Sequence, residues 1–287
     1  MTNKYGNWPK NYTNLKSAKI VILPVPYDGT STWIKGADRG PIAIFEASAK
    51  MELYDIETNS EVYRQGIFTL KPIGGKGLPE EIVKKVKSEI AKYINQGKFI
   101  VLIGGEHSVS IGSIQAQAQV HKGLSVLQLD AHSDLRDEFN GSKYNHACVM
   151  ARIKEICPIV QVGIRSMDIS EKNKFDQKRM FYAERIKDNK NWQDKAIAKL
   201  TDKVYLTIDL DVFDPAILPS TGTPEPGGLS WYEVLAFLRK VNRNKNIVAF
   251  DVVELCPNAK EKSSDFLVAK LIYKILSYKY YPQINKF

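Results

Sequence analysis

Cysteine is scarce in this chain and never paired by spacing: only Cys148, Cys157 and Cys256 occur in 287 residues. An odd count with no Cys-x-x-Cys argues against a disulfide scaffold, a thioredoxin-type redox pair and a thiolate zinc site. Reduced structural thiols and a cytoplasmic location are the expectation. Cys148 stands two residues after His146, a separation at which helical side chains diverge, so a thiol–imidazole pair is not expected. No long uncharged apolar run occurs, which excludes a membrane-spanning helix. The start, Met1-Thr2-Asn3-Lys4-Tyr5, holds no apolar signal core, so secretion is not expected. Internal repeats, low-complexity tracts and Pro/Gly/Ser linkers are also missing, and residues 1–287 read as one domain. The net charge of +9 comes without a lysine/arginine cluster and its aromatic platforms. The lysines are scattered, as in Lys84-Lys85-Val86-Lys87, so a solvated basic surface is expected and a nucleic-acid partner is not. Such a surface does not draw a cationic substrate from afar; a local acidic pocket has to.

Apolar strand-like runs alternate with helical patterns. Strands are expected at 19–24, 99–103, 125–129, 159–162, 204–208 and 247–253. Helices are expected at 79–96, 108–121, 145–156, 191–200, 231–240 and 264–278. The strands are continuous apolar runs rather than alternations, as when both faces of a sheet are covered. The fold class is α/β, a three-layer α/β/α arrangement around a mainly parallel sheet.

Polar motifs follow four of these strands. Gly104-Gly105-Glu106-His107-Ser108 follows Val101-Leu102-Ile103, and Asp130-Ala131-His132-Ser133-Asp134 follows Leu127-Gln128-Leu129. Asp209-Leu210-Asp211 follows Tyr205-Leu206-Thr207-Ile208, and Glu254 follows Val252-Val253. Carboxyl ends of strands are where open α/β sheets bind ligands. Asp130, His132 and Asp134 share one side if the segment stays extended, and Asp209 and Asp211 repeat that relation. Alone, Asp130 or Asp209 reads as a cap or turn residue, and His132 as a satisfied polar side chain. Jointly, so many charged groups at the ends of apolar strands are costly to bury unless paired or metal-bound. Two imidazoles, His107 and His132, with four carboxylates match two divalent cations. The oxygen-rich set suits Mn²⁺ better than a thiolate-loving metal, with zinc as the alternative.

At these residues the chain resembles the ureohydrolase (arginase/agmatinase) family, over most of its length. The likeness continues through Thr207 to Pro215, Thr221 to Leu229, Pro26-Tyr27-Asp28-Gly29-Thr30 and Gly40-Pro41. Glu106 and Ser220 depart from it, standing where many relatives have Asp and Gly. The resemblance implies an α/β/α fold and two Mn²⁺ ions held by His107, Asp130, His132, Asp134, Asp209 and Asp211. It sorts His107, Asp130, Asp134 and Asp211 to one metal or the bridge, with His132 and Asp209 completing the second and Asp130, Asp134 and Asp211 variously shared; which ligand bridges stays open. It implies an acid/base role for His146, guanidinium binding by Glu254, and a homo-oligomer, trimeric or hexameric.

This chemistry suits the residues. A guanidinium is resonance-stabilised and permanently charged, so water attacks it slowly. A paired-metal site makes hydroxide from water at neutral pH. Glu254 can accept two parallel N–H bonds from a planar cation. The departing amine needs a proton, which Asp134 or His146 can deliver. The loop Leu135 to Asn145 lacks the small polar run with which arginases read an α-amino acid. It carries acidic Asp137-Glu138, expected with His146 to receive a bare cationic tail. The expected reaction is agmatine to putrescine and urea, as in polyamine synthesis. N1-aminopropylagmatine, guanidinobutyrate and arginine are alternative substrates, and a non-catalytic metal-binding scaffold is the remote one.

Overall fold

Runs such as Ile100-Val101-Leu102-Ile103 offer no polar face to water, so they are stable only as strands covered on both sides. In the computed structural model, which describes residues 3–282, they form one sheet. Met1 and Thr2 of the N-terminal stretch read above lie outside the described residues. The strands are β1 (Ile20–Val25), β2 (Ile67–Thr69), β3 (Phe99–Gly104), β4 (Leu124–Leu129), β5 (Ile159–Ile164), β6 (Met180–Tyr182), β7 (Lys203–Asp209) and β8 (Asn246–Val253). Their order is β2-β1-β3-β8-β7-β4-β5-β6, and every pairing is parallel.

The helices are α1 (Gly40–Ser48), α2 (Pro79–Ile94), α3 (Ser110–Val120), α4 (Val149–Ile153), α5 (Ala183–Lys187), α6 (Trp192–Ala198), α7 (Trp231–Asn244) and α8 (Ser263–Tyr280). Strand residues sort by parity onto two cores. Ile20, Ile22, Val101, Ile103, Leu206 and Ile208 pack with α1, α6, α7 and α8. Val21, Leu23, Ile100, Leu102, Val126 and Tyr205 pack with α2, α3 and α4. Each such side chain contributes roughly 1.5–3 kcal/mol by leaving water, and this burial holds three layers together. No helix among the described residues is long and apolar enough to cross a membrane.

All six expected strands form. The edge strands β2 and β6 are three residues each, too short for a periodic signature. Helix α1 was not expected, because nearly all of its face is buried and no amphipathic stripe marks it. The helix expected from Asn145 begins instead as a 3-10 turn over His146–Cys148 and continues as the short α4. The Asn145 side chain accepts a bond from Ala147 N at 3.1 Å, which tightens that first turn. Cys148, Cys157 and Cys256 are buried free thiols.

Candidate metal centre

The four strands that end in polar motifs, β3, β8, β7 and β4, are contiguous in the middle of the sheet. Their carboxyl ends therefore deliver His107, Glu254, Asp209 and Asp130 to one place. Backbone geometry turns the groups inward. Gly105 lets the chain after β3 pass the Tyr27 carbonyl, which a Cβ would meet at 2.1 Å. Asp134 (φ 53°) and Glu254 (φ 69°) adopt left-handed conformations that side-chain-bearing residues rarely take.

Two ligand clusters result, His107 with Asp130 and Asp134, and Asp130 with His132 and Asp211, joined at Asp130. Around His107 Nδ1 lie Asp134 Oδ2 at 3.0 Å, Asp130 Oδ2 at 3.3 Å and Asp209 Oδ2 at 3.4 Å. None of them is in hydrogen-bonding geometry, and Nδ1 is buried without a partner. The opposite nitrogen explains this. His107 Nε2 lies 3.0 Å from Thr207 Oγ1, whose own hydroxyl donates to Asp251 at 2.6 Å. Thr207 must then accept from Nε2–H, so in the neutral ring Nδ1 presents a bare lone pair to three carboxylates. A divalent cation fits that arrangement. On the other side, His132 Nδ1 is 2.9 Å from Asp211 Oδ2 and 3.7 Å from Asp130 Oδ1.

The sorting differs in one respect from the one the resemblance implies: Asp209 stands with His107, while Asp211 stands with His132, as its shared place allows. After Asp209 the chain enters a 3-10 turn, Leu210–Val212, so positions two apart no longer share a face. The segment after β4 does not stay extended either. The left-handed turn at Asp134 sends it to His107, away from His132.

Further groups brace the ligands. Gln161 Nε2 donates to Gln128 Oε1, and Gln128 Nε2 to Asp130 Oδ2, both at 2.6 Å. Ala131 N donates to Asp211 Oδ1 at 3.0 Å. Arg165 spends its guanidinium on backbone carbonyls of Asp211, Glu225 and Gly163 rather than on the carboxylates.

Crowded negative charge shapes the titration. Burial, then Asp134 and Asp211, pushes the Asp130 carboxyl up to about 7. Asp209 is raised well above its ordinary value by burial and by Asp211 and Asp130. Burial also opposes the Asp211 charge, but attraction from His132 and the Ala131 N–H hold its pKa down. Burial disfavours the charged His107 ring, yet the surrounding carboxylates together raise its pKa well above the ordinary value. Every one of these pulls describes a site short of positive charge.

A cavity of about 310 Å³ opens onto these groups. His107, His132, Asp134, Asp209, His146 and Glu254 line it, together with Trp33, Arg136, Phe139, Asp168 and Glu171. Glu254 Oε1 accepts from His107 N at 2.7 Å. Burial and the nearby Glu106 raise the Glu254 pKa well above the ordinary carboxylate range, so a cation facing it is welcome. His146 is lowered, chiefly by burial. Its Nδ1 lies 3.0 Å from Thr30 Oγ1, and Thr30 also bonds Glu106, which burial pushes up to about 7.

Asp137 and Glu138 are a correction: neither lines the cavity. Asp137 is 67% exposed and pairs with Lys174 at 2.6 Å, and Glu138 faces solvent. Beside Arg136 the cavity is lined instead by Asp168 and Glu171; Asp168 is 3.6 Å from Arg136, whose guanidinium sits 4.3 Å from the Phe139 ring centre. Thr30, Thr207, Asp251 and Asp168 were not read from the sequence. Asp251 carried a usable signal, a carboxylate inside an apolar strand, which needs a partner.

Fold and site together define a hydrolase-type centre for paired divalent cations at the carboxyl edge of a parallel sheet. The chain belongs to the arginase family: the model described as "Arginase family" matches residues 18–277. It is 40% identical to the N(1)-aminopropylagmatine ureohydrolase of Synechocystis sp., covering 96% of each chain. It is 31% identical to the agmatinase of Pyrococcus horikoshii, covering 92% of this chain and 93% of that one. Among solved structures, the agmatine ureohydrolase of Thermoplasma volcanium superposes with a TM-score of 0.85 at 29% identity, over 93% of this chain and 92% of that one. The protein is thus a ureohydrolase, a hydrolase acting on C–N bonds of amidines.

Proposed function

We propose that the substrate is a linear guanidine with a bare cationic tail, agmatine or its N1-aminopropyl derivative, cleaved to urea and an amine. Two Mn²⁺ ions would be held by His107, Asp130, Asp134 and Asp209 and by Asp130, His132 and Asp211. When bound, such ions lower the pKa of water and supply a nucleophile at neutral pH. Glu254 binds the planar guanidinium and fixes the face presented for attack. His146, or Asp134 beside it, gives a proton to the alkyl nitrogen as the C–N bond breaks, a contribution of roughly 10²–10⁴-fold.

The observation that carries this reading is the acidic lining of one cavity, with Glu254 for the guanidinium and Asp168, shared with Arg136, for the tail's ammonium. Arg136 is already engaged by Asp168 and Phe139, so it is a poor reader of an α-carboxylate. The longer N1-aminopropyl substrate is favoured by the name of the Synechocystis relative. The test is urea release by Mn²⁺-loaded protein with agmatine, N1-aminopropylagmatine, guanidinobutyrate and arginine in parallel. The expected result is a clear preference for the first two. Arginine or guanidinobutyrate turning over faster overturns the cationic-tail reading, and full metal loading with no urea from any of them returns the scaffold alternative.

A further inference from the structure

We infer that Thr30 is a positioning residue, which holds His146 with its proton on Nδ1 and so makes Nε2 the nitrogen that exchanges protons with the substrate. The inference rests on the reading of His146 as the proton carrier. Thr30 Oγ1 has three polar neighbours: the His146 backbone N–H at 3.0 Å, His146 Nδ1 at 3.0 Å, and Glu106 Oε2. A hydroxyl offers one proton and two lone pairs. The backbone N–H can only donate, and it takes the first lone pair.

Glu106 is fully buried and ringed by donors. Its Oε2 accepts from Thr30 N at 2.7 Å, and its Oε1 from the Ser108 hydroxyl. In its ionised form, which these donors favour against the burial that raises its pKa, Glu106 takes the Thr30 hydroxyl proton as well. The second lone pair of Oγ1 then faces Nδ1, which must bring a proton to satisfy it. A neutral imidazole has one N–H, so Nε2 is left with the lone pair. Nε2 has no hydrogen-bond partner among the described residues, and His146 lines the cavity beside Glu254 and Asp134. The ring is further steadied by an edge contact with Phe139, centroids 6.4 Å apart at 86°.

In this tautomer the neutral ring takes a proton at Nε2 as water adds to the guanidino carbon. It returns that proton to the alkyl nitrogen as the C–N bond breaks, ending as it began. The opposite tautomer would present N–H to the substrate before any proton had been collected. Thr30 thus acts on the proton-carrying nitrogen through His146, although it lies 116 residues away in the chain.

The test is a double-mutant cycle on the Mn²⁺-loaded enzyme with its best guanidine substrate. Thr30→Val removes the hydroxyl and keeps the shape, with Thr30→Ala as the second variant should the first not fold. The expected result is a kcat lower by ~10- to 100-fold, the cost of losing a partner that orients a histidine. KM, metal content and melting temperature should be unchanged, and Thr30→Ser should restore kcat. His146→Asn alone should lower kcat by ~10²–10⁴-fold, and adding Thr30→Val to it should cost nothing more. Wild-type kcat in Thr30→Val, no rescue by Ser, or an undiminished Thr30→Val loss in the His146→Asn background overturns the inference. Wild-type kcat in His146→Asn is a different failure, because it removes the reading of His146 itself.

Discussion

Two buried clusters of charge in this molecule are built on opposite plans. Around Lys274, which is 8% exposed on α8, the charges balance. Asp55 Oδ2 is 2.9 Å from its ammonium and Glu57 Oε2 is 2.5 Å away, while Arg239 pairs with Glu57 and the Tyr278 hydroxyl donates to it at 2.6 Å. At the carboxyl edge of the sheet, Asp130, Asp134, Asp209, Asp211 and Glu254 face two imidazoles, with no lysine or arginine among the described residues pairing with them. The first cluster supplies its own counter-charges and needs nothing from outside. The second is incomplete by itself, and in the proposed reading metal and guanidinium bring its missing positive charge.

The sharpest way to break this contrast is Asp130→Ala, because Asp130 belongs to both ligand clusters. Metal measured by elemental analysis should fall toward zero. Activity should drop by far more than the ~10–100-fold that loss of an orienting partner costs. Retained metal at both positions would refute the shared role. Next comes Lys274→Met, which leaves the buried Asp55 and the half-buried Glu57 with fewer partners. Breaking a buried pair from one side costs about 3–5 kcal/mol, to be read by urea denaturation, while metal content and kcat of the folded fraction stay unchanged. Conversely, a chelator should lower the melting temperature of the wild type and Lys274→Met by similar amounts, since the two clusters do not share groups.

A smaller effect is expected at Glu254→Gln. Metal should stay bound while kcat/KM falls by roughly 10- to 100-fold, matching about 1.5–3 kcal/mol for a hydrogen bond to a charged group. Unaltered kinetics would remove the guanidinium role. The smallest effect is on acid stability. Burial raises the Glu57 pKa, but bonds from Lys274, Tyr278 and Arg239 win and hold it at about 2, below its ordinary 4.5. The folded state therefore keeps this carboxylate charged where the unfolded chain has taken up a proton. Its stabilisation is complete above pH 4.5 and is lost as pH falls toward 2. Glu57→Gln should flatten the stability curve across that window, and an unchanged slope would assign acid unfolding elsewhere.

Much of this was legible in the chain because burial leaves a local trace. A strand covered on both faces is a continuous apolar run, and a charged residue at its end stands out against it. That is why β1, β3, β4, β5, β7 and β8 and the residues His107, Asp130, Asp209 and Glu254 could be read in advance. The three-residue edge strands and the buried α1 leave no such trace. Asp137 and Glu138 misled because they follow Asp134 closely in sequence, yet Lys174 holds Asp137 at the surface. Asp168 takes the cavity position because β5 lies beside β4, and the bridge between His132 and Ser166 carries the chain past the site.

The sequence by itself determined the candidate donors, the strand ends that carry them and the family, since residue types and spacings are local properties. Only the tertiary structure decided which groups meet. Strand order made β3, β8, β7 and β4 neighbours, although β4 and β7 are separated in the chain by β5, β6 and three helices. The turn after Asp209 and the left-handed Asp134 then divided the ligands between two positions. Thr30, from the loop after β1, could reach His146 only once that sheet had closed the distance, because a hydrogen bond depends on separations in space rather than along the chain.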